Sequence, residues 1–296
     1  MLTQLWHFVV HLRPHYMMGI LSGGYLLGGV LSESMAAGTY WAQFFNVHIL
    51  LFGGATAYNS WWDRDEGPVG GLKHPPKMKS WMHAASLLLM ALGFFWSLTV
   101  GVVYSLVYLA SLLLFWLYST PHARWKGRPL LSLFTIAVST GVNAVLMGTL
   151  AAGGAISLPV LLSSAGAAFI LLAMYPVSQI FQMEEDRSRG DITFAVKFGQ
   201  RGVVNFFTAA FFGGLMVLSA GLAMVMWLPA LILMIGCTAA GIILRMKIQG
   251  LRGVRAEYPN VMRIKALASF SFVFFLLIAN VLRHQWFGFA LFQEYF

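Results

Sequence analysis

Apolar runs separated by short polar breaks dominate this chain, and their length sets the first expectation. A helix needs about 20 apolar residues to cross a bilayer, and such runs can be drawn at roughly 14–32, 40–60, 81–101, 103–119, 130–151, 157–181, 203–225, 228–245 and 265–283. The pattern predicts an all-α polytopic membrane bundle of about nine transmembrane helices, formed by a single domain over residues 1–296. Residues 1–13 read as an amphipathic interfacial helix ahead of the first span. Two polar clusters stand out at the ends of the second and sixth runs: Asn59 to Gly67, and Gln182 to Thr193.

Composition fixes the environment. Hydrophobic residues make up 59% of the chain, charged residues 10%, and the mean hydropathy is +0.74. An ordinary soluble domain has about 25% charged residues, so that class is excluded. The positive charges set a topology. With a cytoplasmic N-terminus, 18 of the 19 Lys and Arg residues fall on the inner side, and only Arg283 falls outside. The N-terminus and the polar clusters are therefore expected in the cytoplasm. The net charge of +9 follows from the same loops facing anionic lipid and implies no nucleic-acid partner.

Several residues have plain packing explanations. The lone Cys237 excludes a disulfide within one chain. His7, His11 and His15 are spaced for one helix face, but Pro14 interrupts that helix. Gly19, Gly23, Gly24 and Gly28 suit close helix packing, and His48 in mid-span reads as hydrogen-bonded packing.

The clusters do not fit that description. They hold seven of the ten acidic residues, and a charge at membrane depth costs roughly 2.5–3.5 kcal/mol. Asn59, Asp63 and Glu66 recur at i, i+4 and i+7; Gln179, Gln182 and Asp186 recur with a similar period, and Glu185 adjoins them. Because the first set follows the second span and the other follows the sixth, the chain reads as two four-helix halves plus a ninth helix. Two opposed acidic faces repel unless cations lie between them. Hard oxygen ligands favour Mg²⁺ completed by substrate phosphates, so a phosphate-bearing substrate is expected.

In these motifs the chain resembles the UbiA superfamily of intramembrane prenyltransferases. Asn59 and Asp63 match its first motif, Asn-x3-Asp-x3-Asp; Asp186, Gly190 and Thr193 match its second, Asp-x3-Asp-x3-Gly followed by Thr. The segment from Tyr118 to Gly127 is similar to one in chlorophyll synthase-like and carotenoid-elongating members, and Arg13-Pro14 sits where many members carry Arg-Pro. Two positions depart from the pattern: Gly67 stands where the first motif ends in Asp, and Gln182 where the second begins with Asp.

The resemblance implies Mg²⁺-dependent transfer of a prenyl group from a prenyl diphosphate to a lipophilic acceptor such as a quinone precursor, tetrapyrrole or carotenoid. It implies metal ligands among Asp63, Glu66, Glu185 and Asp186, with Asn59 and Gln182 beside them. Lys73, Lys77, Arg124, Lys126 and Arg128 would bind the diphosphate, and Tyr118 would orient it or face the cation. Two other readings use the same cavity: a membrane terpene cyclase that quenches the cation internally, and a lipid carrier without chemistry. An acceptor requirement distinguishes the first from transfer, and diphosphate release distinguishes the second.

Overall fold

The computed structural model describes residues 2–64 and 67–286. It is all-α apart from a single bridge between Val69 and Leu72. The elements run α1 (Leu2–Leu12), α2 (Pro14–Gly19), α3 (Gly23–Leu31), α4 (Ala37–Phe45), α5 (Gly54–Asp63), α6 (Ser80–Ser97), α7 (Val102–Ser119), α8 (Pro129–Ile136), α9 (Asn143–Ala151), α10 (Leu158–Met174), α11 (Met183–Ser188), α12 (Phe194–Ala223), α13 (Trp227–Gln249) and α14 (Tyr258–Arg283). A π-helical stretch, Asn46–Gly53, makes α4 and α5 one continuous helix, and Ala137–Val142 joins α8 to α9 in the same way.

Among the described residues, seven helices are long and apolar enough to cross a membrane, against the nine spans expected. The difference lies in the first two runs. Run 14–32 is broken at Ile20–Ser22, between α2 and α3, and run 40–60 contains the π-helical stretch and the polar Asn46 and His48. Both are helical, but neither is one of the seven.

Burial separates central from peripheral helices. In the joined α8–α9 and in α10 with its extension, 56% of the best apolar window is buried; in α6, α13 and α14 the share is 28%. The peripheral helices carry exposed Leu88, Phe95, Ile235, Met246 and Phe274, as lipid-facing surfaces require. Close central packing depends on small residues. A Cβ on Gly28 would sit 2.5 Å from the Thr149 nitrogen, and one on Gly148 2.8 Å from the Tyr25 carbonyl carbon, so α3 and α9 meet backbone to backbone. Asn280 ties α14 to this centre by donating to the Leu26 carbonyl at 2.9 Å.

At the N-terminus, Arg13 adopts φ +50° and breaks α1 from α2, with Pro14 at the first helical position. The His7–His11–His15 face is thereby divided. His11 instead bonds the Pro76 carbonyl at 2.7 Å. His48 is buried, bonds the Phe44 carbonyl at 2.7 Å through Nδ1 and lies against the Phe44 ring, as packing predicts.

Candidate active site

The two polar clusters meet in one cavity of about 200 Å³ at one end of the bundle. Its lining includes Asn59 and Asp63 from α5, Tyr118 from α7, Lys126 from the α7–α8 loop, and Gln179, Gln182 and Asp186 from the end of the α10 segment. Arg13, Tyr16, Tyr175, Ser178, Arg189, Asp191, Thr193 and Lys265 complete its polar wall.

Local geometry explains the motif spacings. On α5, Asn59 and Asp63 are one turn apart, and the Asn59 amide donates to Asp63 Oδ2 at 2.8 Å. Arg64 turns left-handed (φ +51°) and ends the helix there, leaving Asp63 at the negative end of the helix dipole. A cation answers that charge: the buried Lys126 ammonium forms an ion pair with Asp63 Oδ1. Lys126 also donates to Asn59 Oδ1 at 3.3 Å, as Ser119 does at 2.9 Å. Burial pushes the Lys126 ammonium down to about 8, with Asp191 and Asp186 opposing the shift, so it remains charged at neutral pH.

The second motif is built differently. A 3-10 turn, Pro176–Gln182, precedes α11. Three residues per turn place Gln179 and Gln182 on one face, and the following α-turn brings Asp186 onto it. Glu185 is rotated off that face. It pairs with Arg189 one turn along and does not line the cavity, so the structure sets it apart from the proposed ligands. Gly190, at φ +76°, reverses the chain after α11, and Thr193 caps α12 by accepting from the Val196 amide. The same hydroxyl donates to Asp186 Oδ2 at 3.0 Å, which is the physical content of the Asp-x3-Gly…Thr spacing.

The basic residues sort unevenly. Of the five expected to bind diphosphate, only Lys126 lines the cavity. Lys73, Lys77 and Arg128 are exposed away from it. Arg124 is bidentate to Asp191, with Nε and Nη2 each at 2.8 Å, and so braces the α7–α8 loop against the second motif. Glu66 lies outside the described residues. Three cavity cations escaped the sequence argument as site residues: Arg13, Arg189 and Lys265. Arg13 is buried and donates to the Gly70 carbonyl and to Ser60 Oγ, both at 3.1 Å, while Lys265 donates to the Tyr16 hydroxyl at 2.5 Å. The Arg13-Pro14 pair was a signal; Arg189, one turn after Glu185, was a weaker one. Lys265 gave none, because only tertiary packing brings α14 to this end. Tyr118 and Tyr175 share a hydroxyl–hydroxyl bond of 2.8 Å at the cavity wall.

Among the described residues, four cations and three carboxylates face the cavity: Arg13, Lys126, Arg189 and Lys265 against Asp63, Asp186 and Asp191. No group of three or more His, Cys, Asp or Glu side chains among the described residues is poised to hold a metal unaided.

Comparison with known proteins gives the same architecture. The model of the UbiA prenyltransferase family matches residues 17–267. A solved UbiA homolog from Archaeoglobus fulgidus, bound to GPP and Mg²⁺, is similar at a TM-score of 0.73 and 14% identity, covering 93% of this chain and 99% of that one. The same homolog bound to DMAPP and Mg²⁺ gives 0.71 at 14% identity, covering 92% and 98%. A digeranylgeranylglyceryl phosphate synthase structure gives 0.65 at 18% identity, covering 96% and 99%. No curated protein sequence matches the chain.

Proposed function

This chain belongs to the UbiA prenyltransferase family, and from that membership we propose that it transfers a prenyl group from a prenyl diphosphate to a lipophilic acceptor within the membrane, assisted by Mg²⁺. The observation that carries this reading is the single cavity in which both motif carboxylates, Asp63 and Asp186, face four cations. At about 200 Å³ the cavity is smaller than the roughly 300–1,000 Å³ of pockets that enclose a drug-sized ligand. It suits a diphosphate head and leaves the isoprenoid tail to lie between helices.

The donor set fits one Mg²⁺. That ion is commonly held by one or two carboxylates with substrate phosphates completing its shell, and Asp186 and Asp63 supply that number. When bound, it contributes Lewis-acid stabilisation of the leaving diphosphate. The chain's own residues do the rest. Lys126 exchanges its pairing with Asp63 for the diphosphate, and Arg13, Arg189 and Lys265 hold the negative charge that grows as the C–O bond breaks. The electron pair leaves with the diphosphate, and the remaining allylic cation is stabilised by the rings of Tyr118 and Tyr175. The acceptor then forms the new bond to that carbon and gives up a proton. Asn59 holds Asp63 in place, and Gln182 lines the same wall.

We place the cavity on the cytoplasmic side, on the strength of the basic bias of the loops at that end. Reporters fused after Arg128 and after Arg201 are both expected to read cytoplasmic, and an external reading from either refutes this orientation. The reaction itself is tested by mass spectrometry of products from purified protein given geranylgeranyl diphosphate and a panel of quinone-precursor, tetrapyrrole and carotenoid acceptors. A product heavier than one acceptor by a prenyl unit is expected. A cyclised hydrocarbon formed without acceptor would instead identify a terpene cyclase, and unchanged substrate throughout a carrier.

A further inference from the structure

The first helix, α1, carries an apolar outer face without the charges that usually accompany one. Leu2, Leu5, Trp6 and Val9 recur at helical spacing and are exposed, while His11 and Leu12 at its end are buried. A helix at a membrane surface typically sets Lys or Arg beside such a face, and α1 contains neither. The missing charge lies on a neighbouring segment.

Residues 72–81 form a strap that follows α1 in reverse order. Leu72 lines a groove of about 210 Å³ together with Trp6, Val9, Val10, Pro14 and His15. Further along, the Pro76 carbonyl is bonded by His11 at 2.7 Å. At the far end Trp81 donates to Gln4 Oε1 at 3.4 Å, and its ring meets that of Phe8 at 5.5 Å. The strap carries Lys73, Lys77 and Lys79, all exposed, and none of them forms an ion pair among the described residues. Five of the six groove residues are apolar, His15 being the exception. Val69 and Gly70, just before the strap, line the catalytic cavity, so the groove adjoins that cavity without sharing a lining residue with it.

We propose that α1 and the strap form a binding site for an anionic phospholipid of the surrounding membrane, with an acyl chain in the groove and the headgroup phosphate on Lys73, Lys77 and Lys79. Both halves of the site are needed to select that ligand. The lysines supply charge complementary to a phosphate that bears no cation of its own, and the groove takes hydrocarbon. A soluble phosphate has nothing to place in the groove, and a zwitterionic lipid brings a positive headgroup to three ammonium groups. Lysine stems lie readily along apolar surface while their ammonium heads reach a phosphate at the membrane boundary, which suits a strap packed on an apolar helix.

Native mass spectrometry of the full-length protein, released from detergent with dioleoylphosphatidylglycerol and dioleoylphosphatidylcholine added at equal concentration, tests the site. The first lipid adduct should favour phosphatidylglycerol by roughly tenfold or more, since each lysine near an anionic headgroup contributes roughly fivefold in affinity. Lys73→Gln/Lys77→Gln/Lys79→Gln should abolish that preference and leave the melting temperature unchanged. Lys197→Gln/Arg201→Gln/Lys247→Gln removes the same charge from exposed positions on α12 and α13 and should keep the preference. Val9→Trp, which fills the groove from an exposed position, should weaken phosphatidylglycerol binding several-fold, and excess glycerol 3-phosphate should not displace the lipid. A preference that survives the strap substitutions, or that falls equally with the α12 and α13 substitutions, overturns the proposal. Indifference to Val9→Trp, or displacement by glycerol 3-phosphate, overturns it as well. All four outcomes leave prenyl transfer standing.

Discussion

The two motif ends place their carboxylates under opposite local electrostatics. Asp63 closes α5 at the negative end of its dipole, with both oxygens engaged, one by the Asn59 amide and one by the Lys126 ammonium. Asp186 lies in the first turn of α11, and its carboxylate accepts from a neutral hydroxyl, that of Thr193. The first carboxylate is paired with a buried ammonium; the second accepts from a hydroxyl, with the Arg189 guanidinium near enough to act on its charge.

This contrast ranks the expected effects of mutation. Asp186→Asn should have the largest effect on rate, lowering diphosphate release by on the order of 10³-fold, as loss of a principal transition-state electrostatic group does. Its melting temperature should move little, since Asn still accepts from Thr193. Measuring both quantities on one preparation breaks the comparison if stability falls together with rate.

Asp63→Asn should lose activity and also stability. It leaves the buried Lys126 ammonium without its counter-charge, and breaking a buried pair from one side costs about 3–5 kcal/mol. The motif pattern alone predicts stability nearly intact for both variants; the ion pair separates them. Thermal unfolding in nanodiscs checks this, and the double variant Asp63→Asn/Lys126→Met should recover much of the stability but not the activity.

Arg124→Met tests the brace between the halves. The Arg124–Asp191 pair is partly exposed on the arginine side, so the expected loss is about 1–2 kcal/mol, with a rate effect of roughly tenfold through displacement of Lys126. A rate loss as great as that of Asp186→Asn would mean that Arg124 itself touches the diphosphate.

Glu185→Gln should matter least. Its pair with Arg189 is half-buried and one helical turn apart, a class of pair that contributes at most about 1 kcal/mol, and Glu185 itself does not line the cavity although Arg189 does. The Mg²⁺ concentration for half-maximal rate should stay unchanged. An increase would return Glu185 to the ligand set that its sequence position suggested.

How far the sequence could lead follows from the physics of each feature. Apolar runs determine helices wherever burial is uniform, so the later spans agree closely with the structure: run 130–151 became 129–151, and run 103–119 became 102–119. The first two runs are helical but fall outside the seven long, apolar helices because Pro14, the Ser22-Gly23-Gly24 step and the π-helical stretch alter helix geometry without altering hydropathy. Asn59, Asp63, Gln182 and Asp186 were legible because one helical turn fixes their relation. Glu185 was included because it adjoins Asp186 in sequence, and the structure turns it toward Arg189, outside the cavity lining. Lys73, Lys77 and Arg128 were drawn in by charge alone, whereas Lys265, remote in sequence, enters only through packing of α14 against the motifs.

The central claim is that the carboxylates of this one cavity support metal-assisted ionisation of a prenyl diphosphate. The most direct measurement is diphosphate release from geranylgeranyl diphosphate by the purified protein in nanodiscs, with Mg²⁺ and again with EDTA, for wild type and Asp186→Asn. The account predicts release by wild type with Mg²⁺, abolished by EDTA and by the substitution. Release that persists in EDTA, or that Asp186→Asn leaves intact, would contradict it.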